Sequence, residues 1–131
     1  MTSGEPEPGA PQPCRVESED SGQWCHLTVH GDVDIATAHL LGEAVADALA
    51  RGRRHVAIDM RSVTFMDSTG LSAILVGRKA ALAAGGSLLL TEISSTVQLV
   101  LDATNLTDLL VDADAGGDAG RDPSRGAPPV T

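Results

Sequence analysis

Residues 59–71 of the chain read DMRSVTFMDSTGL, and they contain the transition from a short buried strand, through a loop, to a helix. The helix is predicted to begin near Asp67, Ser68 and Thr69. Each of these three side chains is able to cap a helix, although a helix needs only one cap. Gly70 in the first turn lets another backbone approach closely. The amide groups of this turn and the helix dipole favour negative charge at the same place.

The flanking sequence predicts an α/β fold in which helices cover a mixed β-sheet. Two strands at 14–17 and 24–30 are predicted to be joined by a turn at 18–22, and a polar break at 30–34 follows. A helix at 40–49, closed by Arg51-Gly52-Arg53-Arg54, leads to a strand at 55–60, a helix at 69–84 and a strand at 87–91. A third helix opens with the capping box Ser95–Gln98, and the last element lies at 106–111. The arginines are expected to suit the negative end of the first helix. Strands separated by helices favour parallel pairing, and the opening hairpin adds an antiparallel pair.

Composition limits the class of protein. The chain has 131 residues, a formal net charge of −9 and two aromatic side chains, Trp24 and Phe65, so we expect no nucleic-acid partner. No apolar run approaches the roughly 18 residues of a membrane span, and no secretion signal is visible, so we expect a cytoplasmic protein without membrane contact. Residues 1–13 and 112–131 lack the apolar side chains that would offset the entropy of ordering them. They are predicted to be a disordered arm and a disordered tail around one domain at 14–111.

The cysteines and histidines show no metal-ligand spacing. Cys14 and Cys25 flank the predicted hairpin turn, where a cross-strand disulfide is conceivable, although small buried or half-buried thiols are the simpler interpretation. His26 and His30 share one face of a strand, but no third ligand completes a site, so no metal is predicted. The sequence contains no nucleophile elbow and no phosphate-binding glycine loop. We therefore predict neither an enzyme nor a bound cofactor.

Three motifs together resemble one family. Phe65–Leu71 (FMDSTGL) is similar to the signature of STAS domains, specifically of the bacterial anti-sigma factor antagonists. Gly31–Asp34 (GDVD) resembles the Gly-Glu-Leu-Asp motif that follows an early strand in that family. The segments 85–90 and 97–110 fit its later strand and its last helices. The resemblance covers roughly residues 14–111 and implies a single STAS-like domain.

The resemblance implies a phosphorylation switch at Ser68. In the family, the serine directly after the motif aspartate is phosphorylated by the anti-sigma factor, a serine kinase of the histidine-kinase-like ATPase fold. The unmodified antagonist binds this kinase and frees a sigma factor, whereas the phosphorylated form does not bind, and a serine phosphatase restores it. Thr69 is the alternative acceptor, because some related regulators carry a threonine there. A different function is a scaffold, or a sensor of a small ligand or nucleotide, that is not phosphorylated.

The resemblance also implies a partner-binding surface made of Asp34, Asp67, Ser68, Thr69 and Gly70. Asp34 matches the last residue of the Gly-Glu-Leu-Asp motif, which lies beside the phosphorylation site in the family. Its competing role is a helix cap before Ala36. Three places depart from the family pattern. Asp32 replaces a glutamate, and 92–94 lacks a proline that the family often has. Asn105 replaces a glycine in a turn whose left-handed backbone asparagine tolerates.

Overall fold

The structure, a computed structural model, describes residues 13–111. Strands and helices follow one another in this range as β1 (Arg15–Ser21), β2 (Trp24–Val33), α1 (Ala38–Ala50), β3 (His55–Met66), α2 (Ser68–Ala83), β4 (Ser87–Ile93), α3 (Ser95–Thr104) and α4 (Thr107–Leu110). The sheet has the order β1-β2-β3-β4; β1 is antiparallel to β2, and the other two pairs are parallel. The predicted mixed sheet covered by helices is confirmed. The arm and tail predicted to be disordered, 1–13 and 112–131, lie outside the described residues except for Pro13.

The core is made of apolar rows that cross the sheet where the parallel strands pair. Leu27 of β2, Ile58 of β3 and Leu90 of β4 are neighbours in register, and all three are fully buried. Leu41 and Val45, four residues apart on one face of α1, belong to the same buried cluster. Burying each such side chain contributes roughly 1.5–3 kcal/mol. Apolar residues repeat every two residues in the strands and about every 3.6 residues in the helices. This repeat therefore determines which face of each strand and helix packs in the core.

The strands β2 and β3 are both longer than the sequence predicts. The polar break expected at 30–34 and the loop expected at 61–66 are strand for most of their length, because they pair with each other as far as Val33 and Met66. Register shifts interrupt the alternation in this region. Val63 and Met66 stay buried while Thr64 and Phe65 between them are exposed. The local pattern does not reveal the extension, since each half depends on a partner that is distant in sequence.

The hairpin is also longer than predicted. Residues 18–21, which were expected to form the turn, continue β1 by pairing with 24–27 of β2. The chain reverses at Gly22 and Gln23, and Gly22 has a φ of 60°, which glycine adopts without strain. All four residues of the extension are classed as exposed and lie at the edge of the sheet, where polar side chains are tolerated.

Two arginines after α1 hold the hairpin in place. Arg51 Nε and Nη2 donate hydrogen bonds to the two carboxylate oxygens of Asp20, both at 2.9 Å, and Arg53 Nε donates to Asp20 Oδ2 at 3.0 Å. These guanidinium groups hold the pKa of the Asp20 carboxyl well below its usual range. Arg51 is also the C-cap of α1, so the prediction that this segment closes the helix is confirmed, while the guanidinium group of Arg51 pairs with Asp20.

The N-cap of α3 lies one residue before the predicted one, whereas the backbone at its C-cap is as predicted. Ser94 is the N-cap, since the Val97 N–H donates to Ser94 Oγ at 3.3 Å, so the capping box expected to begin at Ser95 is wrong. Asn105 ends the helix with a φ of 59° and a ψ of 35°. The left-handed backbone predicted for Asn105 is therefore confirmed.

The two cysteines are free and lie far apart on the hairpin. Cys25 pairs with Asp20, whereas Cys14 precedes Arg15, which pairs with His30. Extended chain rises roughly 3.3 Å per residue, so Cys14 and Cys25 are about 20 Å apart along the strand direction. A disulfide needs Cα atoms within about 7 Å. The conceivable disulfide is thus excluded, and the interpretation as buried or half-buried thiols is confirmed.

We expect Asp20→Asn to lower the free energy of unfolding at about pH 7, and the difference from the wild type to shrink in acid. Arg51 and Arg53 place the folded pKa of Asp20 below the unfolded value of about 3.9. The stabilisation is complete above that unfolded value and is lost as the pH falls through the folded value. Urea unfolding at about pH 7 and about pH 2.5 measures the effect.

Glu19→Gln is the control, since Glu19 makes no ion pair within residues 13–111. An Asp20→Asn difference that is equal at both pH values contradicts the ion pair.

Candidate functional site

The helix α2 is capped by one of the three residues that the sequence offered. Asp67 lies between β3 and α2 with an extended backbone, and its Oδ1 accepts hydrogen bonds from the Thr69 N–H at 2.9 Å and the Gly70 N–H at 3.2 Å. Ser68 and Thr69 are the first residues of the helix, and their hydroxyl groups take no part in the cap. The cap is therefore a single carboxylate rather than a redundant set.

The side chain of Ser68 consequently has no structural role within the described residues. It is exposed, and its Oγ makes no hydrogen bond to any group of residues 13–111. Thr69 is half-buried, one residue further into the helix. Of the two hydroxyl groups proposed as acceptors, that of Ser68 is thus more accessible to another protein.

Gly70 brings the first turn of α2 against the end of β2. The glycine is buried, and a Cβ at this position would lie 2.9 Å from both the Val33 carbonyl oxygen and Val33 Cγ1, and 2.7 Å from Met66 Cγ. Carbon atoms normally approach no closer than about 3.5 Å, so a larger residue would push the helix away. The close backbone approach predicted for Gly70 is confirmed. Its contribution to a partner-binding surface is indirect, because a partner does not reach a buried glycine.

Asp34 begins the loop between β2 and α1 and organises it. Its Oδ1 accepts from the Ala36 N–H at 3.0 Å and lies 3.1 Å from Thr37 Oγ1. The Thr37 hydroxyl also lies 2.7 Å from the Asp32 carbonyl oxygen and accepts from the Asp34 N–H at 3.0 Å. The helix-capping role predicted for Asp34 is wrong, because α1 begins at Ala38 after the N-cap Thr37 and has no side-chain cap hydrogen bond, so the Asp34 carboxylate closes a turn before the helix instead. The loop is fixed by several hydrogen bonds around one hydroxyl.

The two aspartates meet at one edge of the sheet. Val33 and Met66 are the last paired residues of the parallel strands β2 and β3, and the Asp67 N–H donates to the Val33 carbonyl at 3.3 Å. Asp34 and Asp67 are the residues that follow, and neighbouring strands lie only about 4.8 Å apart. Asp34 is thus a neighbour of Asp67, the residue before Ser68. Of the two interpretations of Asp34 that the sequence left open, the helix cap is wrong, and a place on a partner-facing surface stays a prediction.

Exposed apolar side chains flank the same edge. Ile35, directly after Asp34, is 82% exposed, and Phe65, directly before Met66, is 45% exposed. Sequence reasoning missed both residues as parts of the site. The available signal was an isoleucine between polar residues in a short loop, which has no core to enter. An apolar side chain held in water by an ordered loop is typical of a protein-binding surface.

The histidines lie in three places: His26 and His55 both lie against the ring of Trp24, with ring centroids 6.0 and 4.9 Å from it, His30 lies further along β2, and His39 lies on α1. His30 Nε2 lies 3.4 Å from Glu17 Oε1, and His55 Nδ1 lies 2.9 Å from Ser87 Oγ at the opposite end of β3. Within the described residues no group of three or more His, Cys, Asp or Glu side chains is arranged to hold a metal ion. In the same range, no helix has the length and the hydropathy required to cross a membrane.

Comparison with known proteins identifies the family. The sequence profile of the STAS domain matches residues 15–115. The chain belongs to the STAS domain family. The anti-sigma-B factor antagonist of Bacillus subtilis is 30% identical over 95 residues, which make up 72% of this chain and 86% of that protein. The resemblance inferred from the FMDSTGL and GDVD motifs is thus confirmed.

Solved structures of STAS-like regulators have the same fold. An anti-sigma factor antagonist from Mycobacterium paratuberculosis is 22% identical with a TM-score of 0.70, and the match covers 86% of this chain and 98% of that one. SpoIIAA in its unphosphorylated form is 20% identical with a TM-score of 0.65, covering 77% of this chain and 88% of its own. Its phosphorylated form from Bacillus gives a TM-score of 0.60 at 20% identity, covering 77% and 91%. A fold like that of this STAS domain therefore occurs both with and without phosphate.

We expect Asp67→Ala to lower the free energy of unfolding by about 1 kcal/mol, because the variant loses the only side-chain cap of α2 within the described residues. Ser68→Ala should change it by less than about 0.5 kcal/mol, since the Ser68 hydroxyl makes no contact that the change would remove. Chemical denaturation of the two variants and the wild type measures this difference. A Ser68→Ala variant as unstable as Asp67→Ala would show that the serine shares the cap.

Proposed function

We propose that this STAS domain is an anti-sigma factor antagonist that is switched by phosphorylation of Ser68. The unmodified domain binds an anti-sigma factor, itself a serine kinase of the histidine-kinase-like ATPase fold, and so releases a sigma factor. The phosphorylated domain does not bind, and a serine phosphatase restores it. The exposed, unbonded Ser68 hydroxyl at the start of a capped helix carries the proposal. Relatives named as anti-sigma-B factor antagonists support the class of partner.

The surroundings of Ser68 suit a substrate rather than a catalyst. A nucleophilic serine needs a base within hydrogen-bond reach, and within residues 13–111 no histidine or carboxylate is bonded to Ser68 Oγ. The kinase therefore supplies both the base and the ATP. Ser68 Oγ attacks the γ-phosphorus, ADP leaves, and the hydroxyl proton passes to the kinase. Because sigma factors act in the cytoplasm, the proposal requires this chain to be cytoplasmic.

A phosphate on Ser68 is compatible with the folded domain. It adds roughly 1.5–2 negative charges at the N-terminus of α2, where the helix dipole favours an anion. The cap is made by Asp67, so modification of Ser68 removes no hydrogen bond that holds the helix. The switch therefore needs no unfolding of α2. Its effect is confined to the surface that the partner contacts.

The same phosphate opposes binding because two carboxylates are already anchored beside it. Asp67 is adjacent in sequence, and Asp34 leaves the neighbouring strand at the same edge. Two like charges about 4 Å apart repel by about 1 kcal/mol in water and by about 4 kcal/mol at a partly desolvated surface. Burying a phosphate under a partner adds a desolvation cost. A change from almost fully bound to almost fully free requires about 5.5 kcal/mol, which these effects reach together.

Ile35 supplies the attractive part of this surface. Its side chain is 82% exposed in a loop that Asp34 and Thr37 hold in one conformation. Covering such a side chain is favourable by roughly 1.5–3 kcal/mol, with little ordering cost because the loop is already fixed. The proposed surface thus combines an apolar contact that favours binding with a serine that controls it.

The phosphorylation site is tested with the purified chain, ATP and each purified histidine-kinase-like anti-sigma factor from the same genome. We expect one kinase to add one phosphate, detected by mass spectrometry, and Ser68→Ala to abolish the reaction. Thr69→Ala is the matched control and should be modified normally. Modification of Ser68→Ala at the wild-type rate would assign the site elsewhere. Saturable binding of a nucleotide by the isolated chain, with no kinase acting on it, would favour the sensor function instead.

The electrostatic switch is tested by binding. We expect Ser68→Asp to bind that kinase at least about tenfold more weakly than Ser68→Ala, since one added charge costs more than about 1.4 kcal/mol at a desolvated surface. Asp67→Asn keeps the cap but removes a charge. Combined with Ser68→Asp, it should recover part of the lost affinity, as measured by titration calorimetry in a double-mutant cycle. Equal binding by Ser68→Asp and Ser68→Ala contradicts the charge mechanism.

A further inference from the structure

An apolar groove runs between α1 and α2 on the outside of the domain. It has a volume of about 330 Å³, and its walls include Gly42 and Val45 of α1 and Thr69, Val76 and Gly77 of α2. Val76 is 68% exposed, although it is a purely apolar side chain. No Asp, Glu, Lys or Arg contributes to the walls of this α1–α2 groove, although His39 of α1 does.

The groove exists because the two helices touch at one glycine and leave space at another. A Cβ on Gly77 would lie 3.2 Å from both Val45 Cγ1 and Leu88 Cδ1, so α2 packs tightly there. A Cβ on Gly42 would have no atom within 4 Å. Protein interiors are packed nearly without voids, so apolar walls that face an open space lack the dispersion contacts that a filling group would supply.

The lack of charge in the groove contrasts with the rest of the same helices. Charged residues make up 21% of the chain, and α1 carries Glu43 and Asp47 while α2 carries Arg78 and Lys79. None of these four side chains lines the groove. A helix face that only meets water normally carries polar or charged residues. An exposed apolar strip bordered by charged residues indicates a surface that a protein covers.

The position of the groove indicates which protein covers it. Thr69 lies in its wall and directly follows Ser68, so one end of the groove opens at the start of α2. A kinase that brings its active site onto Ser68 necessarily covers this end. The groove and the Ser68 surface are therefore one continuous face.

We propose that the α1–α2 groove receives an apolar side chain of the same anti-sigma factor that phosphorylates Ser68. This inference rests on the proposed function and adds a second, uncharged contact to it. The groove supplies affinity that depends on shape and desolvation. The phosphorylation state of Ser68 sets the charge beside the groove and so controls whether the partner binds. The partner segment that enters is apolar because most of the wall residues are Ala, Gly, Val or Leu and none is a carboxylate, lysine or arginine.

Filling the groove tests the inference without disturbing the core. Gly42→Leu places a side chain in the open space, and replacing a glycine inside a helix favours the helix. We expect the unphosphorylated variant to bind the kinase about tenfold more weakly or worse, the effect of excluding one apolar side chain. Val76→Glu, at an exposed position, should weaken binding similarly. Titration calorimetry with the purified kinase measures both.

Two matched controls distinguish blocking of the groove from a change in helix preference and from a change in net charge. Gly42→Ala makes the same change in helix preference with only one added methyl group, so its affinity should stay within about threefold of the wild type. Leu99→Glu adds the same charge as Val76→Glu at a residue that is 70% exposed on α3 and outside the groove. It should bind as the wild type does. Weakening by Leu99→Glu equal to that by Val76→Glu would attribute the effect to net charge and overturn the inference.

The outcomes distinguish this inference from the proposed function. If the wild type binds and is phosphorylated while Gly42→Leu and Val76→Glu bind equally well, the groove is not part of the interface and the proposed function stands. If the wild type neither binds nor is phosphorylated by any such kinase, the proposed function itself fails. If analytical ultracentrifugation shows that the isolated wild type is a dimer that these two variants dissociate, the occupant is a second copy and the inference is wrong.

Discussion

The close contact between the start of α2 and the end of β2 is the constraint on which the site depends. Gly70 has no side chain, so the helix backbone reaches the Val33 carbonyl and the Met66 side chain without a clash. The Asp67 N–H donates to that same carbonyl, which ties the end of β3 to the end of β2. A residue with a Cβ at position 70 would force the two elements apart. The positions of Ser68, Asp67 and Asp34 relative to one another all follow from this contact.

Three adjacent polar residues at the start of α2 divide the tasks among them. Asp67 satisfies the amide groups of the first turn, Ser68 remains exposed and unbonded, and Thr69 turns toward the groove. Under the proposed function, stability and regulation depend on different side chains. Phosphorylation of Ser68 would then change partner binding without removing the cap that Asp67 provides.

The proposed interface contains two kinds of interaction with different physical behaviour. Attraction comes from the exposed Ile35 and from the α1–α2 groove, both of which are mainly apolar. Control comes from the charge at Ser68, next to carboxylates that the fold holds in place. The −9 net charge of the chain adds to the cost of a further anion. The arrangement allows a single phosphate to outweigh contacts that it does not itself touch.

Much of the fold follows from local sequence pattern. The order of strands and helices, the buried faces of Leu27, Ile58 and Leu41, and the left-handed Asn105 all follow from short-range rules: a period of two or of 3.6, and the backbone preference of one residue. The FMDSTGL motif also placed Asp67, Ser68 and Gly70 at a strand-to-helix junction. These features depend only on neighbours a few residues away.

Tertiary structure decided the features that depend on distant neighbours. The extension of β2 and β3, the separation of Cys14 from Cys25 and the pairing of Asp20 with Arg51 require strand register and helix position, which no local window contains. The same holds for the site, where the sequence offered three possible caps and two roles for Asp34. Hydrogen-bond geometry selected Asp67 as the cap, and parallel pairing placed Asp34 beside it. The groove beside Gly42 is likewise visible only in three dimensions, because its walls come from two helices that are separated by a strand.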